Sequence, residues 1–381
     1  MATALITFLL AHTVYSAPIS PHNAASLPPN ISHTCSDLRD CRTMWSIIYA
    51  CLSTILACIW TAVHPDIPGG SRKTWMFKST RIGLTMISLV LPEYILMIAW
   101  EDFLNSWRIS KKCETVQGWT FTHSYFVAMG GFLDPSQKAV KPMDLQLYPG
   151  IIGKSGKVAI TQEQILDRNK GDPFTKLFIV LQLLWFITQY VGRWVGHLHR
   201  SQLETMTLAY AALFVIVYML WWYKPLNIRF PIQVTNESPT TSPRPVPETK
   251  VAQLKPKRVT DAMLASAVKE VKDKELIWIF LTTGIVFGGI HCSAWSFPFP
   301  TSTERLLWRI SAIIITVAPV FIVLGIWIAS NAVGLVIVFT GSFSYAAARV
   351  ILLVLTFAPL RSPPPDLYRT PSWSSFLPHF G

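Results

Sequence analysis

The sequence predicts an all-α, polytopic helical membrane bundle with about seven transmembrane helices. Of the 381 residues, 51% are hydrophobic and only 14% are charged. An ordinary soluble domain carries roughly a quarter charged residues. The mean hydropathy of +0.38 agrees. Apolar runs of about 20 residues, the length that crosses a bilayer, recur along the whole chain. They lack the alternation of a membrane barrel, and lipid offers no partner to open backbone, so each run must close its hydrogen bonds as a helix.

Residues 1–17 have the form of a signal peptide. Leu5–Leu10 supply the short apolar core, and Val14-Tyr15-Ser16 before Ala17 supply small residues at the cleavage spacing. No basic residue precedes the core, and Pro18 follows the cut directly. Residues 18–44 then form a lumenal segment. Asn30-Ile31-Ser32 is a glycosylation sequon, and Cys35 and Cys41 are a disulfide candidate in an oxidising compartment. The first apolar run is Trp45–Val63. Arg72, Lys73, Lys78 and Arg81 follow it closely, which favours the cytoplasm for that turn.

The second run, Ile82–Trp100, completes the first membrane unit, 45–100, and carries Pro92-Glu93 in its middle. Proline breaks a helix and a carboxylate is costly in lipid. If this run crosses fully, segments 101–173 and 224–275 are lumenal. Arg168, Lys170, Lys176, Lys269, Lys272 and Lys274 then lie on the side that the charge rule disfavours. If the run is re-entrant, both segments are cytoplasmic and the rule is satisfied. The sequon Asn236-Glu237-Ser238 speaks for the crossing, as does a nineteen-residue run with a single charge. Seven crossings is therefore the expectation, with the second one open.

Residues 101–173 form a non-membrane insert. Trp119–Leu133 is aromatic, holds His123 and Gly130-Gly131, and suits the headgroup interface. Ile160–Asp172 reads as a short polar helix stopped by Gly171 and Pro173. The runs Phe174–Val195 and Thr205–Tyr223 make a helical hairpin over 174–223, with a capping box at Ser201-Gln202-Leu203-Glu204. A proline-rich linker and an amphipathic helix, Asp261–Glu275, fill 224–275. The runs Leu276–Trp295, Arg309–Ala329 and Ala332–Ala358 form the last membrane unit, 276–358, before a tail over 359–381.

The net charge of +12 is spread over the segments between runs. That suits anionic membrane lipids as partners, and no soluble basic module points to nucleic acid. The charged and polar residues inside the runs are the candidates for function: Glu93, Arg193, His291 and Arg349. Glu93 must be neutral or paired at mid-span, and Arg193 and Arg349 are its possible partners. A Glu–Arg pair there could hold broken helices together or line a polar path. His291-Cys292 ends an apolar run, yet adjacent side chains diverge by about 100° on a helix and suit no shared metal. The plain alternative is a histidine bonded to a backbone carbonyl. Glu304, Arg305 and Arg309 read as a capped helix start whose arginines reach headgroups. His197-Leu198-His199 offers no third metal ligand, so a solvated basic turn is the simpler reading. Asp167 and Asp172 are interleaved with cations, unlike a magnesium–diphosphate pair. No metal cluster or cofactor motif is evident, nor a nucleophile elbow, phosphate loop or His-Glu-x-x-His.

Several elements follow one another in a specific order. They are Trp45-Ser46-Ile47-Ile48, Ala62-Val63-His64-Pro65-Asp66-Ile67-Pro68, Pro92-Glu93, Met129-Gly130-Gly131-Phe132 and Lys170-Gly171-Asp172. Trp221-Trp222-Tyr223-Lys224-Pro225, Gly289-Ile290-His291-Cys292-Ser293-Ala294-Trp295, Leu360-Arg361 and Trp373 with Pro378-His379 continue the series. This succession resembles an uncharacterised multi-pass membrane protein family of filamentous fungi. The resemblance implies neither an activity nor a role for any residue.

Two functions follow from the residues, both set in the secretory pathway or plasma membrane. In the first, the intramembrane polar residues line a path or pocket for a small molecule or ion. That predicts polar side chains of several helices converging. In the second, the chain is a membrane-embedded enzyme acting on an isoprenoid or lipid, with Glu93 or His291 as general acid or base. That predicts an apolar pocket with an acid beside it.

Overall fold

A computed structural model describes residues 42–63, 67, 74–136, 138–168, 173–226, 228, 230–235, 274–328 and 332–369. Asn30, Cys35, Cys41, Asn236, the Lys170-Gly171-Asp172 motif and residues 261–273 lie outside the described residues. The helices are α1 (Met44–Ala62), α2 (Thr74–Val90), α3 (Pro92–Lys112), α4 (Phe121–Ala128), α5 (Gln162–Leu166), α6 (Pro173–Val195), α7 (Gln202–Leu220), α8 (Lys274–Cys292), α9 (Ser302–Trp327) and α10 (Ala332–Leu355). The protein is helical with almost no strand, and α1, α6, α7, α8, α9 and α10 are each long and apolar enough to span a membrane. The bent pair α2–α3 would make a seventh span if counted as one.

Helix boundaries follow local chemistry. Ser201 and Thr301 cap α7 and α9 through reciprocal boxes with Glu204 and Glu304, sparing two amide groups at each helix start. The second apolar run is interrupted because Pro92 has no N–H to continue α2. The residue before proline is also driven out of helical geometry, and Leu91 sits at φ −130°, ψ 64°. Pro92 then starts α3 with Glu93 in its first turn, and the axis bends by 119°.

Hydrogen bonds fix which helix ends lie together. Arg42, just before α1, donates its backbone N–H to Tyr368 at 2.8 Å and its Nε to Leu367 at 3.0 Å, both beyond α10. The two ends of the spanning set therefore share one end of the bundle, which requires an even number of crossings. At the opposite end, Lys176 at the start of α6 donates to the carbonyls of Trp221, Trp222 and Lys224, just after α7. The bent pair begins and finishes at this second end. Arg81 of α2 donates to the Trp60 carbonyl near the end of α1. Asp102 of α3 accepts from Trp221 Nε1 at 3.0 Å and from Lys224 Nζ at 2.6 Å. Between these points, Leu89 reaches Tyr210, midway along α7. Of the two arrangements open to the second run, the described residues have the geometry of a re-entrant pair, with α2–α3 entering and leaving at one end of the bundle beside six helices able to span.

The insert packs on the end to which α3 returns. Ile109, Cys113, Phe126, Phe132, Leu145, Ile151 and Ile165 form its own core. Helix α4 is buried from Thr122 to Val127 rather than laid along an interface, and Tyr125 Oη donates to the Leu220 carbonyl at 2.6 Å. Gly131 is needed here, because a Cβ would stand 2.5 Å from Phe126. A two-residue parallel pairing, β1 (Phe132–Leu133) with β2 (Ile232–Gln233), ties the insert to the start of the linker. Among the described residues, the expected polar helix over 160–172 is α5.

Candidate functional site

The break in the bent pair leaves carbonyl oxygens at the end of α2 without helical partners, in the middle of the bundle. Two side chains from other helices take them. Tyr210 Oη of α7 donates to Leu89, and Arg349 Nε of α10 donates to Val90 at 3.0 Å. Arg349 Nη2 also donates to Tyr210 Oη at 3.0 Å, and its guanidinium lies 4.2 Å from the Phe287 ring centroid. The arginine thus plays the part of a cation at a helix C-terminus, here inside the bundle.

Glu93 opens α3 on the other side of the break and is 2% exposed. Its carboxylate faces the Arg349 guanidinium and the Tyr345 hydroxyl. Neither carboxylate oxygen makes a well-formed hydrogen bond, although the Tyr345 hydroxyl lies within interaction range of the carboxylate. His291 of α8 lies within electrostatic range of Arg349. Its Nδ1–H donates to the Phe287 carbonyl at 2.8 Å, which leaves Nε2 as a buried acceptor without a partner. The carbonyl-bonded histidine of the plain reading is therefore present, and its second nitrogen remains available. Cys292 turns away toward Thr316, at 3.9 Å. Among the described residues, no three His, Cys, Asp or Glu side chains group as a metal site.

Both Glu93 oxygens, Tyr345 Oη and Arg349 Nη1 thus lie buried around the break without a well-formed hydrogen bond, and His291 Nε2 is a further buried atom without one. Buried polar atoms are nearly always paired, so such a cluster marks a place for water or a small guest. Donors and acceptors are both present, which suits a hydrated ion or a small polar molecule. Phe287 separates this cluster from an apolar cleft of about 250 Å³ lined by Leu96, Trp100, Leu213, Ile216 and Val286.

The structure sets Glu93 and His291 each within electrostatic range of Arg349 but sends Arg193 elsewhere. Its Nε lies 3.8 Å from Glu204 Oε1, and its Nη groups donate to the carbonyls of His199, Leu367 and Arg369. Arg42 holds the same Glu204 oxygen at 2.6 Å. Arg193 is therefore no partner of Glu93; it fastens the tail. Glu204 does double service, since its other oxygen accepts from the Ser201 N–H at 2.8 Å. Lys176, counted among the loop charges in the topology argument, is instead buried against the end of α7.

Sequence reasoning missed Tyr210, Tyr345 and Phe287. Tyr345 had a readable signal: it stands four residues before Arg349, on the same helical face. Tyr210 and Phe287 had none, because aromatic residues abound in these runs.

Residues 6–241 match the family of unknown function DUF8562. The chain belongs to this family. No curated protein and no solved structure matches it. The DUF8562 stretch takes in Glu93, Arg193 and Tyr210, whereas His291, Tyr345 and Arg349 lie beyond its end. The site at the break is thus assembled from the DUF8562 region and the C-terminal helices together.

Proposed function

We propose that this chain is a multi-pass protein of the secretory pathway or plasma membrane, of the kind found in filamentous fungi, that binds and moves a small molecule or ion. The observation that carries this reading is the set of unpartnered polar atoms at the helix break. Polar side chains from α3, α7 and α10 meet there, which supports the path-lining reading. Broken helices with ionisable residues at mid-membrane are a recurrent way to hold substrate or coupling ions, because the half-helix ends supply fixed partial charges. On this reading Glu93 is the acceptor that exchanges a proton or cation, Arg349 fixes the break open, and Tyr345 and His291 complete the coordination.

The test is a deletion strain re-expressing Glu93→Gln or Tyr345→Phe at wild-type protein level, with metabolites profiled inside and outside the cell. Both variants should fail to restore the wild-type distribution. Full restoration by both would sink this assignment.

The apolar cleft against Phe287 supports a second reading, a membrane-embedded enzyme for an isoprenoid or lipid with Glu93 or His291 as acid or base. The same profiles separate the two. A transporter mutant shifts where a compound lies, whereas an enzyme mutant accumulates a different compound.

A further inference from the structure

We infer that the turn between α6 and α7 forms a binding site for a phosphate-bearing anion, separate from the helix break. The site is a pocket of about 270 Å³ lined by Trp194, His197, His199, Arg200, Phe297 and Pro298. That is below the roughly 300–1,000 Å³ of drug-sized ligand sites, and it suits a headgroup or a small inorganic anion. Arg200 is the centre of the argument. Its guanidinium carbon lies 5.5, 5.6 and 5.2 Å from the ring centroids of Tyr190, Trp194 and Phe297. Three aromatic rings hold the cation in place, yet its buried Nε has no hydrogen-bond partner.

Charge at this end of the bundle is out of balance. The pocket's described lining contains an arginine and two histidines and no carboxylate. Glu204 is already taken by Arg42 at 2.6 Å and Arg193 at 3.8 Å. Arg200 lies close enough to Arg193 for the two guanidiniums to repel. A guanidinium beside two imidazoles disfavours a metal cation and favours an anion. Of the common anions, phosphate best matches a guanidinium fork flanked by further N–H donors. Trp194 is exposed near the end of α6, at the level where aromatic rings sit among lipid headgroups. The phosphate can therefore come from a lipid or from solution.

The test uses the full-length chain in detergent micelles. Native mass spectrometry reports retention of added dioleoyl phosphatidic acid against dioleoyl phosphatidylcholine, and thermal unfolding reports the effect of inorganic phosphate. We expect preferential retention of phosphatidic acid, weakened about tenfold by Arg200→Gln, the scale of one lost charge-assisted contact. His199→Gln should weaken it less; its side chain is exposed, so this variant decides the matter if Arg200→Gln fails to fold. Stabilisation by inorganic phosphate without lipid preference, lost in the variants, assigns the site to a soluble anion. No preference and no phosphate effect, or a preference that survives both substitutions, overturns the proposal.

Discussion

Arg349 in the last spanning helix donates from Nε to the carbonyl of Val90 at 3.0 Å, across 259 residues of sequence. One end of its guanidinium closes the broken end of α2, while Nη1 is left facing the interior without a partner. The same residue therefore supports the break and frames the candidate site.

Removing that support should be severe. Arg349→Met leaves the Val90 carbonyl and the Tyr210 hydroxyl without their buried donor, an effect of about 1–3 kcal/mol for each group left unsatisfied. Arg349→Lys keeps the charge but cannot reach Val90 and Tyr210 with a fixed fork, so it should fall between. Thermal unfolding of the purified protein in detergent measures both. A melting temperature unchanged in the methionine variant would contradict the role assigned to Arg349.

Glu93→Gln should behave differently. The amide keeps the shape of Glu93 and an oxygen that can accept from Tyr345, so stability should change by no more than about 1 kcal/mol. The expected phenotype is loss of function in a protein that unfolds at nearly the wild-type temperature. Collapse of the purified variant would mean that Glu93 is a structural pair for Arg349.

The two sequons should not both carry sugar. Asn30 precedes Arg42 at the tail end of the bundle, and Asn236 follows Thr235, next to the β1–β2 pairing at the other end. With Asn30 lumenal, Asn236 faces the cytoplasm and stays unmodified. Gel-shift mapping with an endoglycosidase on single Asn→Gln variants reports this directly. Glycan at both positions would refute the re-entrant arrangement of α2 and α3.

Helix α8 presents neighbouring glycines with opposite demands. A Cβ on Gly288 would meet Thr316 Oγ1 at 2.2 Å and Thr316 Cα at 2.7 Å, whereas one on Gly289 meets nothing within 4 Å. Gly288→Ala must push α8 from α9 and should cost about 1–3 kcal/mol. Gly289→Ala should be neutral or slightly stabilising. Melting temperatures of the pair decide, and equal effects would contradict this packing.

His123 gives the insert an acid-sensitive contact. It is fully buried, with Nδ1 accepting from the Thr120 N–H at 3.1 Å and Nε2–H donating to the Ile160 carbonyl at 2.8 Å. Burial lowers its pKa below the usual 6.5. The unfolded state therefore binds the proton more readily, and stability rises with pH. This contribution is complete above about 6.5 and is lost as pH falls through the interval below it. Hydrogen exchange in α4, corrected for intrinsic rates, should accelerate between pH 7.5 and 5.5 in the wild type. Equal protection at the two pH values would remove the contact from consideration.

Much of the fold was legible because each spanning helix satisfies its own backbone. Met44–Ala62 follows from apolar length, and Gln202–Leu220 from apolar length and the Ser201 capping box, both local signals. Pro92 marked the break for the same reason, since a missing N–H acts within one turn. Glu93 was legible as a costly group in lipid. Its surroundings were not, because Arg193 and Arg349 are equal as sequence and only packing assigns one to Glu93 and the other to Glu204.

By itself the sequence determined a helical membrane protein, the positions of its spans, the break before Glu93 and the residues whose burial demands an explanation. The tertiary structure decided three further matters. It returned the bent pair to the end where it began, it paired Arg193 with Glu204, and it set Arg349 within electrostatic range of Glu93, Tyr345 and His291. The physical reason is range. Helix formation, capping and proline breaks act within about four residues, whereas the partner of a buried charge is chosen by whichever distant helix packs against it.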